Sequence, residues 1–447
     1  MQRRDFFKYG IGSAGLALGA GRPFQGNEGF VSRTGPHGRP WWVKEIDSPK
    51  LPIQDDVYSR FDASKNVFGS FIKYYGLDNA KELRVRSLEL EQLYYRENKP
   101  GYRLQDHALA DAAWTVSRAG GLNRGLRSWT RRSIPSPADR GFDRYQGTPE
   151  EAARIIKQAA RYFGAATTGI AILDRRHIHS REMGRDIVFE PVDEPYDTSE
   201  KLVIPDACRY AVAVSIHQSL DNIQCSPTAV GSAGASLGYS RAEFLVASLA
   251  EFIRGLGYVA IPSVNDLGSS VAIAVDAGLG ELGRTNRLVT PEYGPNVRLA
   301  KVLTDLPLAV DKPIDFGLLE FCRICKRCAE ACHPRALSFD DEPSFEVKGE
   351  WNNPGHKAWF EDEPKCFAYW QESVSGCSIC VGVCPWSKKD KTMIHEIVKT
   401  AGAKIPALSG FFTTMDKAFG YGRQRDAAEW WTLDIPEYGI DTRPRKG

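Results

Sequence analysis

Eight of the ten cysteines fall into two spaced runs, and nothing else in this 447-residue chain limits its fold so strongly. The first run is Cys322-x2-Cys325-x2-Cys328-x3-Cys332. The second is Cys366-x10-Cys377-x2-Cys380-x3-Cys384, followed at once by Pro385. Loops this short let successive thiolates close around one iron–sulfur cube, and in paired runs the fourth cysteine of one run ligates the cube of the other. The expected partition is Cys322, Cys325, Cys328 and Cys384 for one 4Fe–4S cluster, and Cys332, Cys366, Cys377 and Cys380 for the second. Zinc sites also use C-x2-C pairs, but seldom three cysteines at x2, x2, x3 with a matching second run. Disulfide frameworks belong to short, cysteine-dense secreted chains. Two clusters in series relay single electrons. The pattern departs from the commonest form twice: His333 separates Cys332 from Pro334, and ten residues separate Cys366 from Cys377, which makes Cys366 the least regular ligand. Cys208 and Cys225 have no partner spacing and are expected as buried free thiols.

Length allows two or three domains with a large core. The formal charge of +2 and the lack of a basic stripe argue against a general nucleic-acid binder. No apolar run approaches the ~20 residues that span a bilayer. Ten Trp and seventeen Tyr suit a large apolar pocket, with Trp41, Trp42, Trp114, Tyr369 and Trp370 as wall candidates on composition alone. At the amino terminus, Arg3-Arg4-Asp5-Phe6-Phe7-Lys8 precedes a Gly- and Ala-rich stretch from Tyr9 to Gly21. This resembles a twin-arginine export signal over 1–21. Export by that route carries a folded chain with its cofactors already inserted, which reconciles export with metal-bound cysteines.

Residues 22–148 read as an N-terminal extension broken by prolines, with helical patches near 78–95 and 106–118. Thr148-Pro149-Glu150-Glu151 is a helix-opening signal. From 149 to 312 helical and β-rich runs alternate: a strand candidate at Thr168–Leu173, another at Tyr210–Ile216, a helix at Ser240–Gly255, and short apolar runs at Tyr258–Ile261, Val271–Val275 and Leu299–Leu303. Such alternation predicts an α+β (α/β sandwich) core around one sheet. Residues 313–395 hold the cysteine runs, and 396–447 form an aromatic tail expected to pack on the core.

Two Gly-rich stretches precede the cysteines: Gly231-Ser-Ala-Gly234-Ala-Ser-Leu-Gly238 and Gly278-Leu-Gly280-Glu-Leu-Gly283-Arg284. Read as loops, they would let backbone approach a ligand or simply turn. With the leader, Leu237-Gly-Tyr239-Ser240-Arg241, Asn265-Asp266, Ala277–Arg284, Gly294-Pro-Asn-Val-Arg298-Leu-Ala-Lys301 and Phe321-Cys322-Arg-Ile-Cys325-Lys-Arg-Cys328, they make a recognisable order. In that order the chain resembles the catalytic subunit of a respiratory, corrinoid-dependent reductive dehalogenase, over the leader and most of 150–390.

The resemblance implies a nitroreductase-like core enclosing a base-off cobalamin, beside a bacterial ferredoxin-like domain with two 4Fe–4S clusters. It implies two-electron, one-proton removal of halide from an organohalide in anaerobic respiration. No D-x-H-x-x-G motif is present, so no protein ligand to cobalt is expected. Tyr239 matches the family's proton donor. A phenol donates reluctantly near neutrality, and a nearby cation that stabilises the phenolate eases the transfer. Arg298 matches the family's arginine at that place, and Asn265 a further polar group of the pocket. The family further implies a small membrane-anchor subunit, a quinone-linked electron donor, and a peripheral position on the outer face of the cytoplasmic membrane. Three other readings stay open at this point: an epoxyqueuosine (tRNA) reductase-like enzyme, a non-catalytic iron–sulfur electron-transfer subunit, and a flavoprotein with appended clusters.

Overall fold

The computed structural model describes residues 39–130, 133–387, 414 and 422–440. The export signal expected over 1–21 and most of the tail expected over 396–447 lie outside the described residues. Three helices open the described chain: α1 (Val67–Tyr75), α2 (Leu77–Arg96) and α3 (Leu104–Ala113). The signal at Thr148 then acts as a capping box. Its hydroxyl accepts from the Glu151 amide, the Glu151 carboxylate accepts from the Thr148 amide, and α4 runs from Pro149 to Tyr162. The strands β1 (Thr167–Ile172), β2 (Arg185–Glu190), β3 (Lys201–Pro205) and β4 (Tyr210–His217) follow. After them come α5 (Ala229–Gly255), β5 (Ala260–Ser263), α6 (Ser270–Asp276) and β6 (Val297–Thr304).

These strands build a four-stranded antiparallel sheet in the order β1-β4-β6-β5. Strand alternation sends Val212, Val214 and Ile216 of β4 to one face, and Ala211 and Ala213 to the other. The first face packs on α4 and α5 through Ile156, Leu245 and Val246. The second packs on α6 and on the parallel pair β2–β3 through Ile273, Ile187 and Leu202. A sheet that is apolar on both faces needs a covering layer on each. The result is a mixed α+β fold.

The helix expected to begin at Ser240 begins at Ala229, where the Thr228 hydroxyl accepts from the Gly231 amide. The stretch Gly231–Gly238 is therefore helical, not a loop. Composition argued the other way because glycine costs about 1 kcal/mol in a helix interior. Close packing overrides that cost: a Cβ on Gly238 would stand 3.0 Å from Arg298 Cγ and 3.1 Å from Gln218 Cγ. The run Val271–Val275 likewise lies inside α6, whose first turn is capped by Ser269.

The cysteine runs lie on and between α7 (Leu318–Cys325), α8 (Glu363–Glu372) and α9 (Ile379–Gly382). Just before α7, Ile314–Asp315 pairs with Lys44–Glu45, and the rings of Trp42, Phe316 and Trp386 pack together there. The described part of the tail packs on the first turns of α5 and on α3. Trp430 joins Cys225 and Val230, and the Trp431 indole donates to Asp106 at 2.6 Å. Cys208 and Cys225 are buried free thiols. Among the described residues, no helix is long and apolar enough to cross a membrane.

Candidate active site

Three elements bring Tyr239, Asn265 and Arg298 together. Tyr239 sits midway along α5, Asn265 follows β5, and Arg298 is the second residue of β6, opposite Ile216 in the sheet register. The Asn265 amide donates to the Tyr239 phenol oxygen at 2.8 Å. Arg298 Nη1 reaches the same oxygen at 3.4 Å, and its guanidinium lies over the phenol ring, 4.3 Å from the centroid. Trp114 stacks on Tyr239 at 5.2 Å with 16° between the planes. The phenol is thus oriented by two donors to its oxygen and by two flat groups on its ring. Of the other aromatic wall candidates, Trp42 belongs to the cluster region, Trp370 packs with Phe68 and Phe367, Tyr369 stacks on His333, and Trp41 is half exposed.

A buried ion group ties these elements to one another. Arg127 donates to Glu243 at 2.6 Å and makes a short contact with Asp266. Glu243 stands one helical turn beyond Tyr239, and Asp266 is the neighbour of Asn265. Burial pushes Glu243 up to about 7 against the pull of Arg127. Burial acts on Asp266 in the same sense, but the Arg127 charge prevails and holds it below the usual carboxylate range. Arg127 carries no motif or spacing signal in the sequence, and its burial follows only from the packing around it.

Asn265 also lines a cavity of about 350 Å³. Other walls come from Tyr58, His177, Val271, Trp351 and His356, with Leu319 from α7 and Glu363 from α8. Leu319 precedes Cys322 by three residues, and Glu363 precedes Cys366 by three, so two of the cysteine-bearing helices, α7 and α8, share a wall with the cavity. Three polar atoms of its lining residues, His179 Nδ1, Asn352 Nδ2 and His356 Nδ1, are buried without a hydrogen-bond partner. Burial holds His356 down to about 4, so the ring is neutral near pH 7. A cavity with apolar walls and unanswered polar atoms suits a ligand with an apolar body and polar groups at its edge.

The second Gly-rich stretch serves the seam between core and cysteine region. Glu281 accepts from the amides of Phe316 (2.7 Å) and Leu318 (3.3 Å) at the start of α7. Arg284, almost fully buried, donates to the carbonyls of Cys322, Ser338 and Asp340 and lies over Trp359. The thiols themselves form two adjoining groups. Cys322, Cys325, Cys328 and Cys384 border a small cavity of about 30 Å³ under Trp386. Cys366, Cys377 and Cys380 lie within electrostatic reach of one another, and Cys332 within reach of the last two. Burial pushes Cys322 and Cys377 up to about 12, so these thiols need a bound cation to ionise at neutral pH. The Arg287–Glu361 pair, at 3.0 and 3.1 Å, lies within electrostatic reach of Cys366 and Cys380. Among the described residues, no three His, Cys, Asp or Glu side chains converge as the ligands of a single metal ion do.

The reductive dehalogenase subunit family matches residues 38–195 and 182–308, and the 4Fe–4S double cluster binding domain matches 321–387. A tetrachloroethene reductive dehalogenase of Sulfurospirillum multivorans is 33% identical over 99% of this chain and 95% of its own length. One from Desulfitobacterium hafniense is 34% identical over 74% of this chain and 70% of its own. A solved reductive dehalogenase, described with a mechanism for B12-dependent dehalogenation, superposes with a TM-score of 0.63 at 22% identity over 97% of this chain. This chain spans 60% of that longer protein, so the likeness is one of fold.

Proposed function

The chain belongs to the reductive dehalogenase family, and on that premise we propose that it reduces a small organohalide at a bound corrinoid fed by two 4Fe–4S clusters. The balance is one organohalide, two electrons and one proton to one hydrocarbon and one halide. When bound, the corrinoid supplies the reduced cobalt at which the carbon–halogen bond breaks, and the clusters supply the electrons singly. The observation that carries the reading is the double membership of Asn265, which lines the large cavity and donates to the Tyr239 phenol. A ligand in the cavity and a substrate at the phenol would therefore adjoin.

Tyr239 holds the proton destined for carbon. Arg298 stabilises the phenolate left behind, and Asn265 fixes the direction of the hydroxyl. Trp114 shields the ring from water. Asn352 and His356 would meet polar groups at the corrinoid edge within a nitroreductase-like core. In a bacterial ferredoxin-like arrangement, Cys322, Cys325, Cys328 and Cys384 would hold one cluster, and Cys332, Cys366, Cys377 and Cys380 the other. Leu319 and Glu363 make the path from the clusters to the cavity short. The curated relatives' names put chloroethenes first on a substrate panel.

The same reading places the enzyme outside the cytoplasmic membrane. Export would follow the twin-arginine route, with a small anchor subunit holding the chain at the membrane and a quinone-linked donor supplying electrons. Fractionation of cells making the wild-type chain and an Arg3→Lys, Arg4→Lys variant checks this, since only the wild type should leave the cytoplasm.

The direct test is metal analysis with anaerobic visible spectra, on protein made with corrinoid available. About one cobalt and about eight irons per chain, with halide released from an organohalide, is the expected result. Iron without cobalt would remove the proposed catalyst and favour an electron-transfer role.

A further inference from the structure

Lys301 is the last residue of the Arg298-Leu-Ala-Lys301 stretch, and the site as described makes no use of it. It lies on β6, three residues beyond Arg298, and its side chain is fully buried. An ammonium carries three donors, and here all three are answered. Nζ donates to the Val264 carbonyl at 2.9 Å, to the Gly268 carbonyl at 3.1 Å and to the Ser270 hydroxyl at 3.0 Å. These acceptors belong to the two ends of one short loop, and Asn265 lies between them.

A buried ammonium without acceptors or a countercharge would be strongly disfavoured. It is kept here by three acceptors and by the nearby Asp266, against burial and Arg127, which lower it to about 7. The remaining charged group within reach is Glu182. The loop is also pressed against the 177–179 segment. His179 donates its amide to Leu267 O at 3.0 Å, and Ser269 donates to His177 O at 2.8 Å. Gly268 permits this closeness, since a Cβ there would stand 2.4 Å from the His177 carbonyl. Between these anchors, among the described residues, the Asn265 side chain hydrogen-bonds to Tyr239 alone. The loop's fixity therefore decides where that amide points.

We propose that Lys301 is a positioning residue for the dehalogenation: it staples both ends of the 264–270 loop to β6, so that Asn265 and Arg298, carried by different elements, meet the same phenol oxygen. The proposal rests on the role given above to Asn265. It predicts that Lys301 matters to turnover only through that residue. Displacing a catalytic group by about 1 Å costs up to about 100-fold in rate.

The test is a double-mutant cycle on the cofactor-loaded enzyme, with hydrogen exchange followed by mass spectrometry. Lys301→Met keeps the length and removes the donors. It should lower kcat by about 10- to 100-fold with KM and iron content little changed. In an Asn265→Ala background the same substitution should cost less than about 2-fold, because coupled residues are not additive. Peptides covering 264–270 should exchange faster in Lys301→Met, while those of α5 keep their protection. Should Lys301→Met fail to fold, Lys301→Gln, which retains two amide donors, carries the same cycle. Equal losses in both backgrounds, or unchanged exchange over 264–270, would overturn the staple. Wild-type turnover by Asn265→Ala would instead overturn the role of Asn265, a separate failure read from a separate variant.

Discussion

Asn265 donates a 2.8 Å hydrogen bond to the phenol oxygen of Tyr239, across 26 residues and from a different element. The bond fixes the hydroxyl's lone pairs and leaves its proton free to point elsewhere. Arg298 approaches the same oxygen, so a charge left there by a departing proton would be met at once. Tyr239→Phe keeps the Trp114 stack and the guanidinium over the ring, and deletes only the acid. We expect turnover to fall by about 100-fold or more with cofactor content intact. Wild-type turnover in a fully loaded Tyr239→Phe enzyme would sink the proton-donor role.

Gly238→Ala tests whether Arg298 needs its present path. A helix interior gains roughly 0.5–1 kcal/mol from such a change, yet the new methyl would stand 3.0 Å from Arg298 Cγ. Stability should change by less than about 1 kcal/mol while turnover falls about 10-fold through a shifted guanidinium. Denaturant titration and steady-state kinetics on one preparation separate the two effects.

Arg127→Ala leaves two buried carboxylates, Glu243 and Asp266, without their shared cation. Removing one partner of a buried ion group costs about 3–5 kcal/mol. Unfolding in urea should show a midpoint lowered accordingly. A shift as small as that of an exposed salt bridge would mean that the group is far wetter than its burial indicates.

Cys384→Ala tests the crossing of the two cysteine runs. Cys384 comes from the second run but borders the cavity ringed by Cys322, Cys325 and Cys328. Iron content should fall by about half, with the spectral signature of one cluster retained. Loss of all iron, or of none, would contradict the partition.

Glu281 gives the enzyme a pH dependence of known sign. Burial first, and the Asp315 charge after it, push its carboxyl from 4.5 up to about 7. Between those values the folded protein holds a proton that the unfolded chain releases. Stability from this group is therefore full below about pH 4.5 and is lost as pH rises through about 7. Glu281→Gln keeps an acceptor for the Phe316 amide and removes the titration. The stability difference between wild type and variant should shrink in wild type's favour at pH 5 and widen against it at pH 8. Parallel stability curves for the two proteins across that range would refute the assignment.

Some of this was legible in the chain before any fold was known. The capping box at Thr148, the strand at Tyr210 and the helix ending at Gly255 follow from local periodicity and capping chemistry. The Gly231–Gly238 stretch misled, because helix propensity is a local average and the contact between Gly238 and Arg298 is not. Trp114 was one of five aromatic candidates with nothing to rank them. Its stacking on Tyr239 depends on how α5 crosses the segment after α3, which no local pattern encodes.

The cysteine runs determined the cofactor class by themselves, since cluster ligation depends on loop lengths of a few residues and those are written in the sequence. The resemblance carried by the order of motifs likewise implied Tyr239, Asn265 and Arg298 as site residues. Only the tertiary structure decided that these three share one oxygen, and that Arg127, Glu281, Arg284 and Lys301 are buried. A charged side chain looks the same in sequence whether water or a carbonyl faces it. Its energetics are set by desolvation and by partners more than a hundred residues away, as for Arg127 with Glu243 and Asp266, and both exist only once the layers have packed.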